Sequence, residues 1–162
     1  MTTIMHKLLE KIHRHESAVL NLSNHSLTDY QIKPIIEEIT MNPSIEVLDL
    51  SFNRLGNAST VAIASLTQLK SLDLGANCIG NKGLTAFQQH PSIEALGLNF
   101  NMNIDEYAVM DLIVKSRLRD IQLIACQISE EGKKSIEALL NKRRNYRQQQ
   151  GSFFLRLREL YD

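Results

Sequence analysis

The sequence predicts an α/β solenoid in which short parallel strands alternate with helices. An eleven-residue pattern, apolar at its first, fourth, sixth and eleventh places and Asn at its ninth, occurs five times and is clearest from Ile45 to Leu55. The copies start 28, 24, 24 and 25 residues apart, and a residue suited to begin a helix follows each one. A period of about 20 to 29 residues indicates stacked units that bury their apolar faces only against neighbouring units.

Length and composition favour one ordinary globular domain. The chain has 162 residues, of which 43% are hydrophobic and 22% charged, as in folded rather than disordered proteins. Its formal net charge is zero. No global field therefore attracts nucleic acid or an acidic surface.

Cysteine placement and the absence of long apolar runs indicate an intracellular, soluble protein. Cys78 and Cys126 fall about two repeats apart. Since adjacent strands lie ~4.8 Å apart, the two thiols exceed the ~7 Å Cα limit for a disulfide. Free thiols suit a reducing compartment. The apolar runs are far shorter than the ~20 residues of a membrane span, and the first residues lack a signal-peptide core.

Residues 1–16 are predicted to form a helix that caps the first repeat. Their apolar residues recur at helical spacing, on the face opposite Lys7, Lys11 and Arg14. The apolar residues are Ile4, Leu8, Leu9 and Ile12. A solenoid exposes apolar surface at each end and needs such a cap.

Each repeat is predicted to contain one strand and one helix. The pairs of apolar residues two apart suit a short strand. Helix starts are expected one place after the last apolar residue of each copy, at Thr28, Gly56, Gly80, Asp105 and Ser129. Thr28 and Gln31 also form a capping-box pattern. The 24-residue steps leave room for about two helical turns and the 28-residue step for three.

The C-terminal residues are predicted to form a second cap. The last helix should run from Ser129 to about Gln150 and break at Gly151. Apolar residues then recur at i, i+1, i+4, i+7 and i+8, namely Phe153, Phe154, Leu157, Leu160 and Tyr161. We therefore expect a single domain over 1–162, with an N-terminal cap (1–16), five repeats (17–145) and a C-terminal cap or tail (146–162).

These repeats resemble the leucine-rich-repeat superfamily, over roughly residues 17–145. Gly-containing phrases such as Ile79–Leu84 and Ile128–Lys133 look like its ribonuclease-inhibitor-like class, although the 24-residue steps are shorter than usual there. The resemblance implies a right-handed curved solenoid with parallel strands on the concave side and helices on the convex side. It also implies that the ninth-position side chain bonds backbone in the turn, a column formed by His25, Asn53, Asn77, Asn101 and Cys126.

The small chain with capping helices is also similar to secreted leucine-rich-repeat effectors of intracellular bacteria such as Legionella. Those effectors carry a C-terminal translocation signal with a late apolar residue and nearby glutamates. Compatible residues here are Leu160, Tyr161, Glu130, Glu131 and Glu159. The resemblance implies action inside a host cell, without a classical signal peptide, on a host protein.

Alternation along the strands predicts the concave face. Its fifth column contains Asp49 and Asp73, which should lie on adjacent strands within ~5 Å of one another. The pair suits a partner contact or two solvated acids, whereas acid–base catalysis would need an enclosing pocket that the pattern lacks. The predicted partner-binding residues are Asp49, Asp73, Asp120, Gln122 and Ile124, with Phe52, Arg54 and Phe100 at the rim.

Two of these predictions leave alternatives open. Phe52 and Phe100, at the eighth place, suit either interface anchors or side chains that turn inward to the core. A basic run near the C-terminus suits nucleic acid, anionic lipid or an import receptor, or else the solvated end of a helix whose dipole favours cations. Its members are Lys133, Lys134, Lys142, Arg143, Arg144 and Arg147.

No catalytic or metal-binding set emerges from the sequence. The histidines lack a zinc-ligand spacing with Cys or carboxylate residues, and Cys126 occupies the structural column. We therefore expect a monomeric, non-enzymatic protein without a cofactor, which binds a protein partner through its concave face. The alternative is nucleic-acid or anionic-membrane binding through the C-terminal basic helix. A face of five strands is roughly 20 Å long, which suits an interface of about 800 Å² per partner or less.

Overall fold

The computed structural model describes the backbone of residues 3–159 and the side chains of residues 5–145. Five short strands form one parallel sheet in chain order, β1-β2-β3-β4-β5. They are β1 (Val19–Asn21), β2 (Val47–Asp49), β3 (Ser71–Asp73), β4 (Ala95–Gly97) and β5 (Asp120–Gln122). The helices are α1 (Thr3–His13), α2 (Asp29–Thr40), α3 (Asn57–Ile63), α4 (Asn81–Leu84), α5 (Glu106–Lys115) and α6 (Glu130–Glu159). The predicted alternation of parallel strands and helices is confirmed.

Strand register follows the repeat pattern residue for residue. The fourth-place residues Leu20, Leu48, Leu72, Leu96 and Ile121 lie opposite one another in successive strands. Their neighbours therefore form columns across the sheet. One residue from each repeat contributes to every column of the concave surface.

The core lies between the sheet and the helices. Fourth-, sixth- and eleventh-place side chains point into it, and in repeats two to four all of these are at most 2% exposed. Helix residues such as Ile35, Ile63 and Leu112 close it from the convex side, each 0% exposed. Fully burying an aliphatic side chain contributes about 1.5–3 kcal/mol.

A column of buried asparagines ties successive repeats together. The Asn77 amide nitrogen donates to Leu50 O and Leu74 O, both at 3.0 Å, and its oxygen accepts from Leu55 N at 3.0 Å. Asn53 and Asn101 make the equivalent bonds. These amides satisfy backbone groups at the turn after each strand, groups that would otherwise be costly to bury.

The two ends of this column differ from its centre. Cys126 contributes one weak bond from Sγ to Leu98 O at 3.3 Å. The His25 ring is exposed and bonds Ser23 O at 2.6 Å, while its backbone N–H donates to Asn53 Oδ1 at 3.1 Å. Helix α1, rather than a strand and its turn, precedes β1, so the His25 ring bonds within its own turn.

A second ladder links the helix starts on the convex side. The first residue of one helix accepts hydrogen bonds from the start of the next. Asp29 accepts from Gly56 N at 2.8 Å and from the Ser59 hydroxyl. Asn57 accepts from Gly80 N at 2.8 Å and Gly83 N at 3.0 Å. This cross-repeat capping explains why two helices can begin at a glycine, which has no side chain of its own to cap them.

Helix length follows repeat length. The long first step accommodates the 12 residues of α2, whereas α3 has 7, and α4 has 4 before a 3₁₀ turn over Thr85–Phe87. The predicted helix starts at Thr28, Gly56, Gly80 and Asp105 are the observed N-caps, and α6 begins directly after Ser129. Among the described residues, no helix combines the length and apolarity needed to cross a bilayer.

The two ends of the solenoid are closed to different extents. Helix α1 covers repeat one with Met5, Leu8 and Ile12, at 7%, 6% and 0% exposure. At the other end α6 continues from Glu130 to Glu159, so the predicted break at Gly151 is wrong. One glycine costs about 1 kcal/mol in a helix, and the neighbouring Arg and Gln residues are good helix formers. The side chains of the predicted second cap, 153–161, lie outside the described residues.

Candidate functional site

The floor of the concave face carries an acidic pair. Asp49 and Asp73 are paired in register on β2 and β3 and are half-buried. Asp49 Oδ1 accepts from Ser51 N at 2.9 Å and Ser51 Oγ at 2.7 Å, and Asp73 Oδ1 accepts from Gly75 N at 2.8 Å. One oxygen of each carboxylate therefore stabilises the strand end.

Two glycines make room for Asp73. A Cβ placed on Gly97 would lie 2.5 Å from Asp73 Oδ1, and one on Gly75 would lie 3.1 Å from the same atom. The carboxylate thus lies across the bare backbone of Gly75 in its own repeat and of Gly97 in the next repeat. The floor here is shallow and acidic.

Farther along the face the polar groups are amides. Asn99 Nδ2 donates to Gln122 Oε1 at 3.0 Å, and Asn99 Oδ1 accepts from Ile124 N at 2.8 Å. Gln122, Asp120 and Ile124 are exposed. They form the end of the face farthest from α1, so the predicted concave residues lie on one continuous surface.

Two phenylalanines form an apolar rim beside this floor. Phe52 is 63% exposed and Phe100 is 53% exposed. Both have positive φ, 53° and 59°, in the left-handed region that costs non-glycine residues about 1–2 kcal/mol. The interpretation that they turn inward to the core is wrong, because the left-handed turn directs them outward.

The rim alternates large and small side chains. The eighth-place residues Asn24, Phe52, Ala76, Phe100 and Ala125 all have positive φ. Since adjacent rungs are ~4.8 Å apart, the two rings stand roughly 10 Å apart with Ala76 between them. Ile124, 66% exposed, adjoins Phe100, whose N–H donates to Ile124 O at 2.7 Å.

Sequence reasoning missed Met102, which extends the rim at 67% exposure. It follows Asn101 in the repeat that is one residue longer than the pattern. The extra residue in this repeat was the sequence feature that could have indicated an exposed side chain in the turn. We call Phe52, Phe100, Met102 and Ile124 the apolar rim. Arg54, predicted at the rim, is exposed there.

Charges along the opposite edge of the strands neutralise one another. Lys70 Nζ lies 2.7 Å from Glu46, and Arg119 lies 3.5 Å from Glu94. These pairs stand one place before the strands, and each links adjacent repeats. Among the residues whose side chains the structure describes, no cation forms an ion pair with Asp49 or Asp73, so negative charge remains at the middle of the face.

The predicted basic patch is largely engaged in structure. Arg143 donates to Ser116 O at 2.7 Å, to Leu118 O at 3.0 Å and to Ile113 O. It thereby satisfies carbonyls at the end of α5. Arg144 donates to Arg119 O at 2.7 Å and lies 3.7 Å from Asp120, and Lys133 pairs with Glu130. Lys134 and Lys142 are exposed, and the Arg147 side chain lies outside the described residues.

A buried histidine and a half-buried cysteine lie away from the concave floor. Burial raises the pKa of the Cys126 thiol, against a smaller opposing effect of an Asn101 backbone bond. A thiol held protonated is a poor nucleophile. Burial lowers the pKa of His90, whose Nδ1 accepts from Ile93 N at 3.2 Å. Both groups act as packing and hydrogen-bonding elements of their turns.

A cleft of about 600 Å³ opens at the end of the solenoid beyond β5. Its apolar wall includes Ile121, Leu123, Ile128, Ile136 and Leu140. Charged side chains at its margin are Asp120, Lys133, Glu137 and Arg144. We call it the end cleft. It adjoins the concave face at Asp120 and Ile124.

A leucine rich repeat family model matches residues 43–102. A search of curated proteins finds no match. The chain is similar to the solved structure of leiomodin-1 actin-binding site 2, with a TM-score of 0.75 and 19% identity over 97% of this chain and 99% of that one. The fold is a leucine-rich-repeat solenoid.

A second solved structure supports the same fold. The tropomodulin C-terminal domain of Caenorhabditis elegans matches with a TM-score of 0.63 and 15% identity over 99% of this chain and 100% of that one. Identities this low establish shared architecture alone. The narrower ribonuclease-inhibitor-like class and the effector resemblance stay predictions.

Proposed function

We propose that this chain is a protein-binding scaffold whose partner docks on the concave floor and the apolar rim. The observation that carries the proposal is the pair of exposed phenylalanines held in left-handed backbone. Neither ring contributes to the core, and both occupy positions where Asn or Gly would fit with less strain. Strained, exposed aromatic residues suit interface anchors better than structural elements.

The partner chemistry follows from what surrounds the rim. Asp49 and Asp73 place negative charge beside Phe52. A complementary partner presents an apolar or aromatic side chain to the rim and a Lys or Arg to the floor. Shape favours a narrow element such as a helix or extended segment, since a face of five strands is roughly 20 Å long.

Actin is the first partner to test. The name of the leiomodin-1 structure describes an actin-binding site, and its fold covers nearly this whole chain. Low identity leaves the contacting residues of this chain free to differ. Co-sedimentation with filamentous actin and gel filtration with monomeric actin address the two forms separately.

The structure offers variants that remove the proposed contacts without disturbing the fold. Phe52→Asn/Phe100→Asn removes both rings, and Asn24 occupies the same left-handed position in repeat one. Asp49→Asn/Asp73→Asn removes charge but keeps the acceptor oxygen, as Asn21 does when it accepts from Ser23 N at 2.9 Å. Repeat one therefore serves as the template for both changes.

The unmodified chain should bind purified actin or capture a discrete protein from eukaryotic lysate. The Phe52→Asn/Phe100→Asn variant should lose this binding. The aspartate variant should weaken it roughly tenfold, the range expected when favourable charge pairs are removed. Val61→Asn is the matched control, since Val61 is 70% exposed on the convex helix α3 and Val and Asn have similar helix propensity. Binding that survives both concave variants and fails with Val61→Asn would refute the proposed face.

The nucleic-acid or anionic-membrane alternative has its own signature. Binding through phosphates falls steeply with salt and is indifferent to the concave variants. Lys134→Glu/Lys142→Glu would reverse the charge of two exposed cations of that region while leaving the Arg143 and Arg144 contacts in place. Loss with this variant alone would favour the alternative.

We also propose that the protein acts inside a eukaryotic host cell as a secreted bacterial effector. The support is the resemblance in general character and the late apolar residues with nearby glutamates. A translocation reporter fused to the N-terminus should enter host cells with the complete chain and fail when Leu160 and Tyr161 are changed to Ser. Equal entry of both chains would argue against this signal.

A further inference from the structure

The end cleft exposes a core that the other repeats bury. Ile121 and Leu123 are half-buried, whereas Leu96 and Leu98, at the same places in repeat four, are 2% and 0% exposed. In the part of the chain that the structure describes, no strand follows β5, and the chain continues as helix α6. A strand placed beside β5 would bury these side chains as each repeat buries the one before it.

The backbone of the last repeat also lacks partners that the earlier repeats have. The sixth-place N–H of each earlier repeat donates to the fifth-place carbonyl of the next repeat, as Leu98 N does at 2.9 Å. The eighth-place N–H donates to the seventh-place carbonyl, as Phe100 N does at 2.7 Å. In repeat five these donors are Leu123 N and Ala125 N, and neither has a hydrogen-bond partner among the described residues. Both residues line the end cleft.

The start of the β5 edge is instead closed by an arginine that takes the place of backbone. In each earlier repeat the second-place carbonyl accepts from two consecutive N–H groups of the next repeat. Glu94 O, for example, accepts from Arg119 N at 2.8 Å and from Asp120 N at 3.1 Å. Arg119 O accepts from Nε and Nη2 of Arg144, at 3.0 and 2.7 Å. The guanidinium therefore replaces the first two N–H groups of a sixth strand.

Arg143 makes a similar replacement just before β5. In repeat four the Ser92 hydroxyl donates to two carbonyls of the preceding repeat. The corresponding carbonyls of repeat five are Ser116 O and Leu118 O, and they accept from Arg143 Nη1 at 2.7 and 3.0 Å. The edge is thus satisfied by the chain itself up to the third place. An added strand would pair from the fourth place to the eighth.

Charge along this edge favours an acidic residue at the start of the added strand. The second-place residues of repeats two to five alternate in sign, as Glu46, Lys70, Glu94 and Arg119. Lys70 lies 2.7 Å from Glu46, and Arg119 lies 3.5 Å from Glu94. The next member of this column falls beside Arg119. An acid at that place continues the alternation, whereas Lys or Arg would be repelled.

A second copy of this chain, stacked head to tail, does not fit the edge. Its β1 would then be the sixth strand, and Ser23 O would have to accept from Ala125 N. The His25 ring already bonds Ser23 O at 2.6 Å. The second place of repeat one is Ala18, which offers no charge to Arg119. Helix α1 also covers the outer side of repeat one.

We propose that the end cleft and the open edge of β5 bind an extended segment of a partner protein, which adds to the sheet as a sixth parallel strand. The segment has two apolar residues two places apart, which fill the cleft beside Ile121 and Leu123. An acidic residue stands two places before the first of them, beside Arg119. The carbonyls of the residues that follow each apolar residue accept from Leu123 N and Ala125 N. Such strand addition gains affinity from main-chain hydrogen bonds and specificity from alternate side chains.

The probe for this site is a synthetic peptide with the sequence of residues 44–55 of this chain. It has the required pattern, since Glu46 stands two places before Leu48, and Leu50 follows two places later. The Leu48→Ser/Leu50→Ser peptide lacks both apolar side chains and should bind on the order of a hundredfold more weakly. The matched control is the Val47→Ser/Asp49→Ser peptide, which changes the two alternate side chains that point away from the cleft and should still bind.

Amide hydrogen exchange of the complete ¹⁵N-labelled chain, followed by NMR, reports where and how the peptide binds. In the free chain the amides of Leu123 and Ala125 should exchange quickly, whereas those of Leu98 and Phe100 should be protected. Saturation with the peptide should slow exchange at Leu123 and Ala125 by about tenfold or more, because both N–H groups gain an acceptor. This measurement needs no substitution in the protein.

A charge swap tests the register of the added strand. Arg119→Glu should weaken binding of the peptide by about three- to tenfold, because it places two acids side by side. A Glu46→Lys peptide should recover that loss with the Arg119→Glu chain and bind the unmodified chain weakly. Arg117→Glu is the matched control, an exposed arginine two residues earlier, and it should leave the preference for the Glu46 peptide unchanged.

Four outcomes would overturn the proposal. Slow exchange at Leu123 and Ala125 in the dilute free chain would mean that the chain itself closes the cleft. Protection that grows with protein concentration would assign the edge to a second copy. A peptide that binds while both amides still exchange quickly makes apolar contacts without adding a strand. Absence of peptide binding at millimolar concentration would exclude the site.

The concave face is tested separately. The Phe52→Asn/Phe100→Asn variant should bind the peptide as the unmodified chain does, because neither ring lines the end cleft. Loss of the partner of the concave face in that variant, with peptide binding retained, would distinguish the two surfaces.

Discussion

The two ends of the solenoid present the same kind of repeat to different surroundings. At the N-terminal end, α1 covers repeat one, and Leu20 and Leu22 are both 0% exposed. At the C-terminal end, Ile121 and Leu123 hold the equivalent places and remain half-buried. Burial in a repeat protein is thus a property of the neighbour as much as of the residue. The ends should differ in what each contributes to stability.

The largest expected effect is a difference in stability between alanine variants of two leucines at the sixth place of their repeats. Leu22→Ala should destabilise the fold by about 3–4 kcal/mol, because it removes a fully buried side chain and leaves a cavity. Leu123→Ala should cost about 1–2 kcal/mol, since the side chain already contacts solvent. Urea unfolding followed by circular dichroism measures both. Equal losses would mean that the end cleft is closed in solution.

The turn column gives the next largest contrast. Asn53 makes buried hydrogen bonds to Leu22 O and Leu50 O, at 3.0 and 2.8 Å, and accepts from Leu27 N at 2.9 Å. Asn53→Ala should cost about 3 kcal/mol because several buried backbone groups lose their partner. Cys126→Ala should cost about 1 kcal/mol or less, since one weak sulfur bond is lost. Thermal unfolding of the two variants tests the difference, and a large effect at Cys126 would contradict it.

Most of the fold could be predicted from the spacing of the repeats, because each place in the repeat requires a side chain of one kind, such as apolar or helix-capping. Apolar positions two apart predict the strands, and Thr28 and Asp105 predict helix starts where they are found. Helix length followed from the number of residues left between strands. These are local constraints, and a sequence displays local constraints directly.

The remaining features depend on contacts between distant residues. The outward turn of Phe52 and Phe100 follows from backbone conformation, which side-chain chemistry alone does not specify. Arg143 appeared to belong to a basic patch, but the carbonyls at the end of α5, 25 to 30 residues earlier, recruit it. Gly151 lies within α6, because one unfavourable residue is offset by many favourable ones.

A buried histidine should make the middle of the solenoid sensitive to pH. Burial lowers the pKa of His90 below the ordinary value of 6.5. Below that pH the unfolded state binds more protons than the folded state, so stability falls as pH falls, by at most about 1.4 kcal/mol per pH unit. His90→Asn should flatten this dependence, because Asn retains an acceptor and does not titrate.

The control for this pH measurement is His6→Gln. His6 lies on α1 with its side chain 70% exposed. Urea titrations at several pH values from neutral to mildly acidic measure the free energy of unfolding of both variants, and the exposed-site variant shows the effect of replacing a histidine that is not buried. An unchanged slope in His90→Asn would instead assign the acid sensitivity to another group.

The smallest expected effect is a gain in stability, in contrast to the losses above, and it distinguishes the rim from the first repeat. Asn24, Phe52 and Phe100 share a left-handed backbone conformation, with φ of 56°, 53° and 59°. Asn tolerates that region better than Phe, and each ring is more than half exposed, so little packing is lost on replacement. Phe52→Asn or Phe100→Asn should therefore stabilise the fold by about 0.5–1 kcal/mol each.

Asn24→Phe is the reciprocal change, and it should destabilise repeat one by a similar amount. Differential scanning calorimetry of the three single variants measures all of these shifts under identical conditions. If both phenylalanine variants gain stability and lose the partner, then the rings are retained at a stability cost because they bind. If the variants instead lose stability, the rings pack against the chain in solution, and the case for the rim as a binding surface fails.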